Sequence, residues 1–439
     1  MKDKMNEEKT VSSSQIELLE AETACPKSKM VVLTTKGLKR LFASLSHRDF
    51  RYFFVGALIS NVGTWIQMVA LGWLVYELTG SSFYLGLITF AGNLPILLFA
   101  LFAGAVADRL NRRVLILWSQ GILVVFAIVL GVITSAKVAT IFNVALLNFG
   151  AGIALAFSFP AWQAIISDLV PRKDLLNAIA LNSAQFNTAR LIGPFFAGLI
   201  LSIWGVAACF YVNGVSFLTV IVALFLMQTH VVPQKHDLEN VWEHIVGGIC
   251  YARNHPTIAM LLLIMAVLTV FGMPFSVLMP VFAGDILKVG ARGNAFLLAA
   301  NGLGALLGAL TVAYVASVAK KENLIKTGLL MFGLFLMAFA FSKNYLLSLI
   351  LLVMVGAAFL TTASSINTSI QSAVPNEVRG RVMGIFVWIF MGFFPIGSIV
   401  FGSIAQFLTA PVAVSIGALV CLFMSIFLFV RPDLLKEIC

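Results

Sequence analysis

The chain has 439 residues, 60% of them hydrophobic and only 11% charged, with a mean hydropathy of +0.99; a water-soluble domain of this size is excluded. Its formal charge of +10 comes without any basic region interleaved with aromatics, so nucleic acid is excluded as a partner. Five scattered cysteines (Cys25, Cys209, Cys250, Cys421, Cys439) lack a CxxC spacing and no GxxxxGK[ST] occurs, which excludes a disulfide framework, a zinc site and ATP as the driver.

Residues 1–45 are rich in Lys, Glu and Ser without an apolar core, and are expected to form a cytoplasmic tail whose end, 38–54, lies along the inner leaflet. Twelve apolar stretches follow, each near the ~20 residues that carry a helix across a ~30 Å hydrocarbon layer. They lie near 52–76, 83–107, 114–134, 138–162, 177–203, 206–227, 257–283, 294–318, 324–342, 345–370, 382–408 and 411–430. The expected fold is an all-α polytopic membrane protein. A first six-helix bundle (46–227), a cytoplasmic linker (228–256), a second bundle (257–430) and a short tail (431–439) make up its parts.

Charge sets the sidedness. Ten of the 29 Lys and Arg precede span 1, and the even gaps and C-terminal tail hold all the rest except Arg190 within span 5 and Lys137, Lys288, Arg292 and Lys343 in odd gaps. By the positive-inside rule both termini and the even gaps are cytoplasmic. A shift of 204 residues superposes Gly80 on Gly284, Gly86 on Gly290, Gly104 on Gly308, Gly152 on Gly356, Gly193 on Gly397, Gly198 on Gly402 and Pro171 on Pro375. One fixed offset argues for two homologous halves about an axis normal to the membrane, a transporter architecture with its path near the midplane.

Span 1 presents Ser60, Thr64 and Gln67 on one face, with Trp65 beside them as a stacking surface and Glu77 near its outer end. Desolvation of Glu77 would make it the proton-coupling candidate; all five histidines fall in cytoplasmic segments. Span 2 ends in Gly104-Ala-Val-Ala-Asp108-Arg109-Leu-Asn-Arg112-Arg113, where a small residue permits close approach, and the arginines can pair with a neighbouring acid such as Asp168 to hold the cytoplasmic side closed.

In span 5, Ser183, Asn187, Arg190 and Pro194 follow at spacings 4, 3 and 4 on one face. Arg190 falls roughly 20 Å into the membrane at 1.5 Å per residue. A charge at that depth costs on the order of 2.5–3.5 kcal/mol and must face a cavity or a partner. Gly193-Pro194 and Gly198 predict a kink and a close helix contact, with Pro395, Gly397 and Gly402 of span 11 as the opposite member. Ser364, Asn367 and Gln371 give span 10 a third polar face. These ten residues, Arg190, Asn187, Ser183, Ser60, Thr64, Gln67, Trp65, Ser364, Asn367 and Gln371, are the candidate lining of a central cavity.

The loop motif resembles the G-x-x-x-D-R-x-G-R-[KR] pattern of the major facilitator superfamily, with Gly104, Asp108, Arg109, Arg112 and Arg113 matching and Asn111 where glycine is preferred. Asparagine tolerates the left-handed backbone such a turn would need. Asp168-Leu-Val-Pro171, Arg190-Leu-Ile-Gly193-Pro194, Val374-Pro375-Asn-Glu377-Val-Arg379-Gly380-Arg381 and Asn61-Val-Gly63-Thr64-Trp65 narrow the resemblance to the branch of the enterobactin exporter and macrolide efflux proteins. The resemblance implies the following expectations: a monomeric, non-enzymatic antiporter of the cell inner membrane, with no cofactor or metal, that exchanges protons for an amphipathic siderophore or lipophilic drug. The gating set is then Gly104, Asp108, Arg109, Arg112, Arg113, Asp168, Gly193, Pro194, Gly198, Glu377, Arg379 and Arg381. An importer of a polar metabolite and a non-transporting sensor are the alternatives; the first would call for more hydrogen-bonding groups in span 7 than Thr269 and Ser276, and the second has no use for a gate.

Overall fold

The computed structural model describes residues 42–228, 241–315 and 320–435, which are helical almost throughout. Six crossings come first: α1 (Arg48–Thr79), α2 (Ser82–Arg109), α3 (Arg112–Ser135), α4 (Ile141–Leu169), then α5 (175–204) and α6 (206–226). The last two form one unbroken stretch, Leu175–Leu226, of 52 residues. At 1.5 Å per residue it would run ~78 Å, far beyond one bilayer. Gly205 divides it: its φ of 77° and ψ of −174° lie outside helical space and suit a residue without a Cβ. A separate helix, Val241–Asn254, links the halves. Then come α7 (Pro256–Ile286), α8 (Gly290–Val315), α9 (Lys321–Ala340), α10 (Tyr345–Ala373), α11 (376–407, interrupted at Phe393) and α12 (Ala410–Val430).

Local sequence explains the irregularities. Pro274 and Pro280 remove amide donors from α7, which breaks into π and 3₁₀ turns over 268–286. Pro395 starts the second part of α11. The Asn111 side chain accepts from Arg113 N–H and caps α3, with φ −63° and ψ 113°. The left-handed turn expected there does not form, because an extended N-cap satisfies an orphan amide and needs no glycine.

The repeat is visible in the helices themselves. Helices α4 and α10 each have 29 residues and begin 204 apart, and their N-caps Thr140 and Asn344 keep the same offset. Added Cβ atoms at Gly152 and Gly356 would strike α2 and α8 carbonyls, those at Gly193 and Gly397 would strike α1 and α7, and those at Gly198 and Gly402 meet α8 and α2 across the seam. The pairings Gly80 with Gly284 and Gly86 with Gly290 are not equivalent, for Gly80 and Gly290 have φ of 58° and 67° and their offset partners lie in helical turns. The first hairpins of the two halves are displaced by 208 instead, Arg48 to Pro256 and Ser82 to Gly290.

In lipid, helices have no hydrophobic drive to associate, so small residues carry the packing. Two seams join the bundles, α2 against α11 and α5 against α8. Both are tight in the half remote from the basic turns. A Cβ on Gly402 would stand 2.9 Å from Gly86 Cα, and one on Gly198 3.1 Å from Ala295 Cβ. Tyr76 Oη–H donates to Asp285 Oδ1 (2.6 Å) and Ser81 Oγ–H to Gln406 Oε1 (2.7 Å) across the same half. Midway down, Trp388 Nε1–H reaches the Leu97 carbonyl at 3.3 Å. Toward the basic turns the α5 side chains Ser183, Ala184 and Phe186 are exposed.

Segment 38–54 is not a free surface helix where it is described. Ser44 is buried, its hydroxyl donating to Asn177 Oδ1 (2.6 Å), and His47 meets Asp174 at 2.8 Å, so the turn before α1 is fastened to the α4–α5 connection.

Candidate substrate site between the bundles

Arg190 lies midway along α5 at the end of the tight seam. Its Nη2–H donates to Asn301 Oδ1 of α8 at 3.0 Å. The guanidinium stands 5.9 Å from the Trp65 ring of α1 and 5.8 Å from the Phe359 ring of α10. Each cation–π contact contributes ~0.5–2 kcal/mol depending on desolvation, which together offsets much of the ~2.5–3.5 kcal/mol cost of a charge at this depth. A guanidinium has five N–H donors, and among the described residues Asn301 takes one of them and no carboxylate takes another. The spare donors, the two aromatic faces and the exposed Phe186, which meets Trp65 edge-on at 6.1 Å, are the chemistry that an anionic group joined to an apolar body would need.

Pro194 adds a second effect. It deprives the Arg190 carbonyl of its intrahelical donor, and that oxygen faces Gly302 of α8, where a Cβ would stand only 2.6 Å away. The seam therefore closes on the residue that carries the charge. Seven residues before Asn301 and on the same face of α8, Asn294 is fully buried, and neither of its amide atoms has a hydrogen-bond partner among the described residues.

Other sequence candidates fall into several groups. Asn187 donates back to the Ser183 carbonyl, below Arg190 on the open side, and Ser183 is exposed there. Ser60 is buried, and Thr64 donates to its carbonyl. Gln67 turns into the first bundle, where its Oε1 accepts from Asn213 Nδ2 (2.7 Å) and Asn213 in turn accepts from Ser216; helix-to-helix bonding takes it away from Arg190. Gln371 donates to Asn367, and Ser364 lies above them on α10, but Phe359 is the α10 side chain that reaches Arg190. Asn301, Phe359 and Phe186 carry no spacing signal in the sequence. The rule that a membrane-buried charge needs a partner would have pointed to α8, whose two asparagines are conspicuous among apolar neighbours.

Among the gating candidates, Arg112 is buried and donates to Asp168 at 2.8 Å and to the Ala164 carbonyl at 3.5 Å; both partners belong to its own bundle. Gly104, Asp108 and Arg109 occupy the last turns of α2, and their side chains lie outside the described residues. Arg113 is partly buried. Arg379 donates to the Val374 carbonyl, Glu377 is exposed, and Arg381 packs against Gly247 of the linking helix. Gly193 packs on Trp65, Pro194 is buried, and Gly198 packs on α8; Gly397 and Gly402 meet α7 and α2, so α5 and α11 occupy equivalent places in the two halves and do not oppose each other. Glu77 is exposed and accepts from Trp73 Nε1–H (2.5 Å), so the burial on which its candidacy rested is absent.

Two six-helix bundles meeting at a charged, aromatic-walled contact have the plan of a membrane transporter, and the family match bears on the same point. Residues 40–437 match the family model described as transmembrane secretion effector, and the chain belongs to that family, a branch of the major facilitator superfamily. It is 29% identical over 367 residues to the multidrug efflux pump Tap of Mycolicibacterium fortuitum, covering 80% of this chain and 87% of that one. It is 27% identical to the enterobactin exporter EntS of Shigella flexneri, over 84% and 87% of the two chains. The inward-facing, unoccupied crystal structure of a bacterial homologue of the human lysosomal transporter Spinster shares the fold with a TM-score of 0.68 at 16% identity, over 89% of this chain and 96% of that one.

Proposed function

We propose that this chain is a monomeric exporter of the cell inner membrane that moves an amphipathic small molecule, a siderophore or a lipophilic drug such as a macrolide, by alternating access in exchange for protons. With the basic turns and both termini placed in the cytoplasm by the positive-inside rule, the tight half of the seam faces outward and the conformation is inward-open. The observation that carries the reading is Arg190, held between Trp65, Phe359 and Asn301 where the seam ends and the open side begins. An anionic group arriving from the cytoplasm takes the spare guanidinium donors, and its apolar body lies against the rings. The curated relatives named as a multidrug pump and an enterobactin exporter support this substrate range. Glu77 and Asp285, the two acids at the far ends of α1 and α7, are both exposed; the Asp285 carboxylate takes part in the contact between bundles and that of Glu77 does not.

Accumulation assays in a strain lacking the gene, run with dyes, macrolides and catecholate siderophores with and without an uncoupler, test the reading. Export that the uncoupler collapses, and that Arg190→Ala abolishes for an anionic compound at unchanged protein level, is the expected result. Uptake in place of extrusion, or full activity of Arg190→Ala, rejects it.

A further inference from the structure

A groove of about 710 Å³ runs along the outside of the α5–α8 seam, lined by Leu191, Phe195 and Phe196 of α5, Phe296 and Leu303 of α8, and Leu349 of α10. Its volume lies within the ~300–1,000 Å³ usual for small-molecule sites, and its walls are almost wholly apolar. Phe195 and Phe196 are 44% and 45% exposed, so the groove opens sideways to the acyl chains and not into the central site. It occupies the half of the molecule remote from the basic turns, where cations are scarce. Only Lys137, Lys288, Arg292 and Lys343 lie in the odd gaps, and three of the four lead into the helices that wall this groove: Lys288 and Arg292 into α8, Lys343 into α10. The Arg292 guanidinium stands 5.5 Å over the ring of Phe296, itself part of the wall. Among the described residues no carboxylate pairs with Arg292, and the nearby Asp285 is engaged by Tyr76.

An apolar channel of this size, walled by the helices that carry or follow three of the four odd-gap cations against the current of the positive-inside rule, matches one occupant: a lipid with a negative headgroup. We propose that the groove is a binding site for an anionic phospholipid of the outer leaflet, its phosphate on Arg292 and Lys343 and an acyl chain along Phe195, Phe296 and Leu303. Because the walls belong to both bundles, the bound chain spans a seam that changes whenever the transporter changes state. The site is independent of what the central cavity carries.

The test is native mass spectrometry of the full-length purified protein, titrated with phosphatidylglycerol and with phosphatidylcholine of the same chains. Wild type should retain phosphatidylglycerol preferentially. Arg292→Gln and Lys343→Gln should each cut that preference about fivefold, as the loss of one interfacial cation implies, and Arg431→Gln on the opposite face should leave it unchanged. Leu303→Trp, which fills the groove from the lipid side, should weaken both lipids. Equal retention of the two lipids by wild type, or an undiminished preference in the rim variants, overturns the proposal. So does a Leu303→Trp protein that keeps its lipid but no longer exports a lipophilic dye, since the groove would then belong to the substrate.

Discussion

Arg112 is buried and Arg190 partly buried, and the two arginines answer to different rules. Arg112 has a full ionic partner, so Asp168→Ala should strand its charge at the membrane edge and cost about 3 kcal/mol or more. A fall in the thermal midpoint of the detergent-purified protein, with Asp168→Asn intermediate, is the check. Among the described residues Arg190 has the neutral Asn301 and two rings as partners, an arrangement that keeps the cation available. Asn301→Leu should therefore leave the fold standing and weaken binding of an anionic substrate about tenfold, the worth of one charge-assisted hydrogen bond's alignment. Isothermal titration of wild type and variant measures it. Charge was the legible part of this site: a lone arginine thirteen or so residues into an apolar span can be read from the chain. Its partners could not be, because Asn301 and Phe359 lie 111 and 169 residues further on and are brought in by the packing of helices, which no local periodicity encodes.

Element boundaries followed hydropathy closely where helices are regular and less well where function or proline intervenes. The expected span 4, 138–162, in fact runs Ile141–Leu169, because polar Ser167 and Asp168 extend the helix beyond the hydrocarbon, where their side chains find partners. In α7 the apolar run gave no sign of which turns loosen; Pro274 and Pro280 settle that. Glycines divide into two physical kinds. At Gly302 a methyl group would press on the Arg190 carbonyl of the other bundle, whereas a Cβ at Gly121 meets nothing within 4 Å. Gly121→Ala should be neutral or stabilise α3 by up to about 1 kcal/mol. Gly302→Ala should cost about 1–3 kcal/mol by overpacking and should do so chiefly in the state where the seam is shut. Thermal unfolding of the two variants side by side distinguishes them, and equal midpoints would contradict the packing described.

At the scale of the whole molecule, the bundles pack closely along two seams, while the polar contacts at the far face are of modest strength. Ser81 with Gln406 and Tyr76 with Asp285 are single hydrogen bonds at the far face. A Ser81→Cys/Gln406→Cys pair, placed in a protein whose exposed Cys250 is replaced, should crosslink on mild oxidation, stop transport and recover it on reduction. Crosslinking that leaves transport intact would show that this half need not part. Tyr76→Phe removes one bond and should raise labelling of a cysteine introduced at the far face, such as Ser81→Cys, without loss of protein. The two-bundle plan was legible in the 204-residue offset, because packing glycines recur wherever equivalent helices touch. The conformation was not, since a sequence that supports two states does not choose between them.

Asn294 gives the shut half an intrinsic reason to come apart. A buried carboxamide with no hydrogen-bond partner among the described residues raises the energy of whichever arrangement buries it, by about 1–3 kcal/mol for each stranded group. Water reaching α8 when the seam parts would release that penalty, so one side chain biases the cycle away from resting where it is now. Asn294→Leu should lengthen the dwell in the present state, visible as slower turnover together with a higher melting temperature.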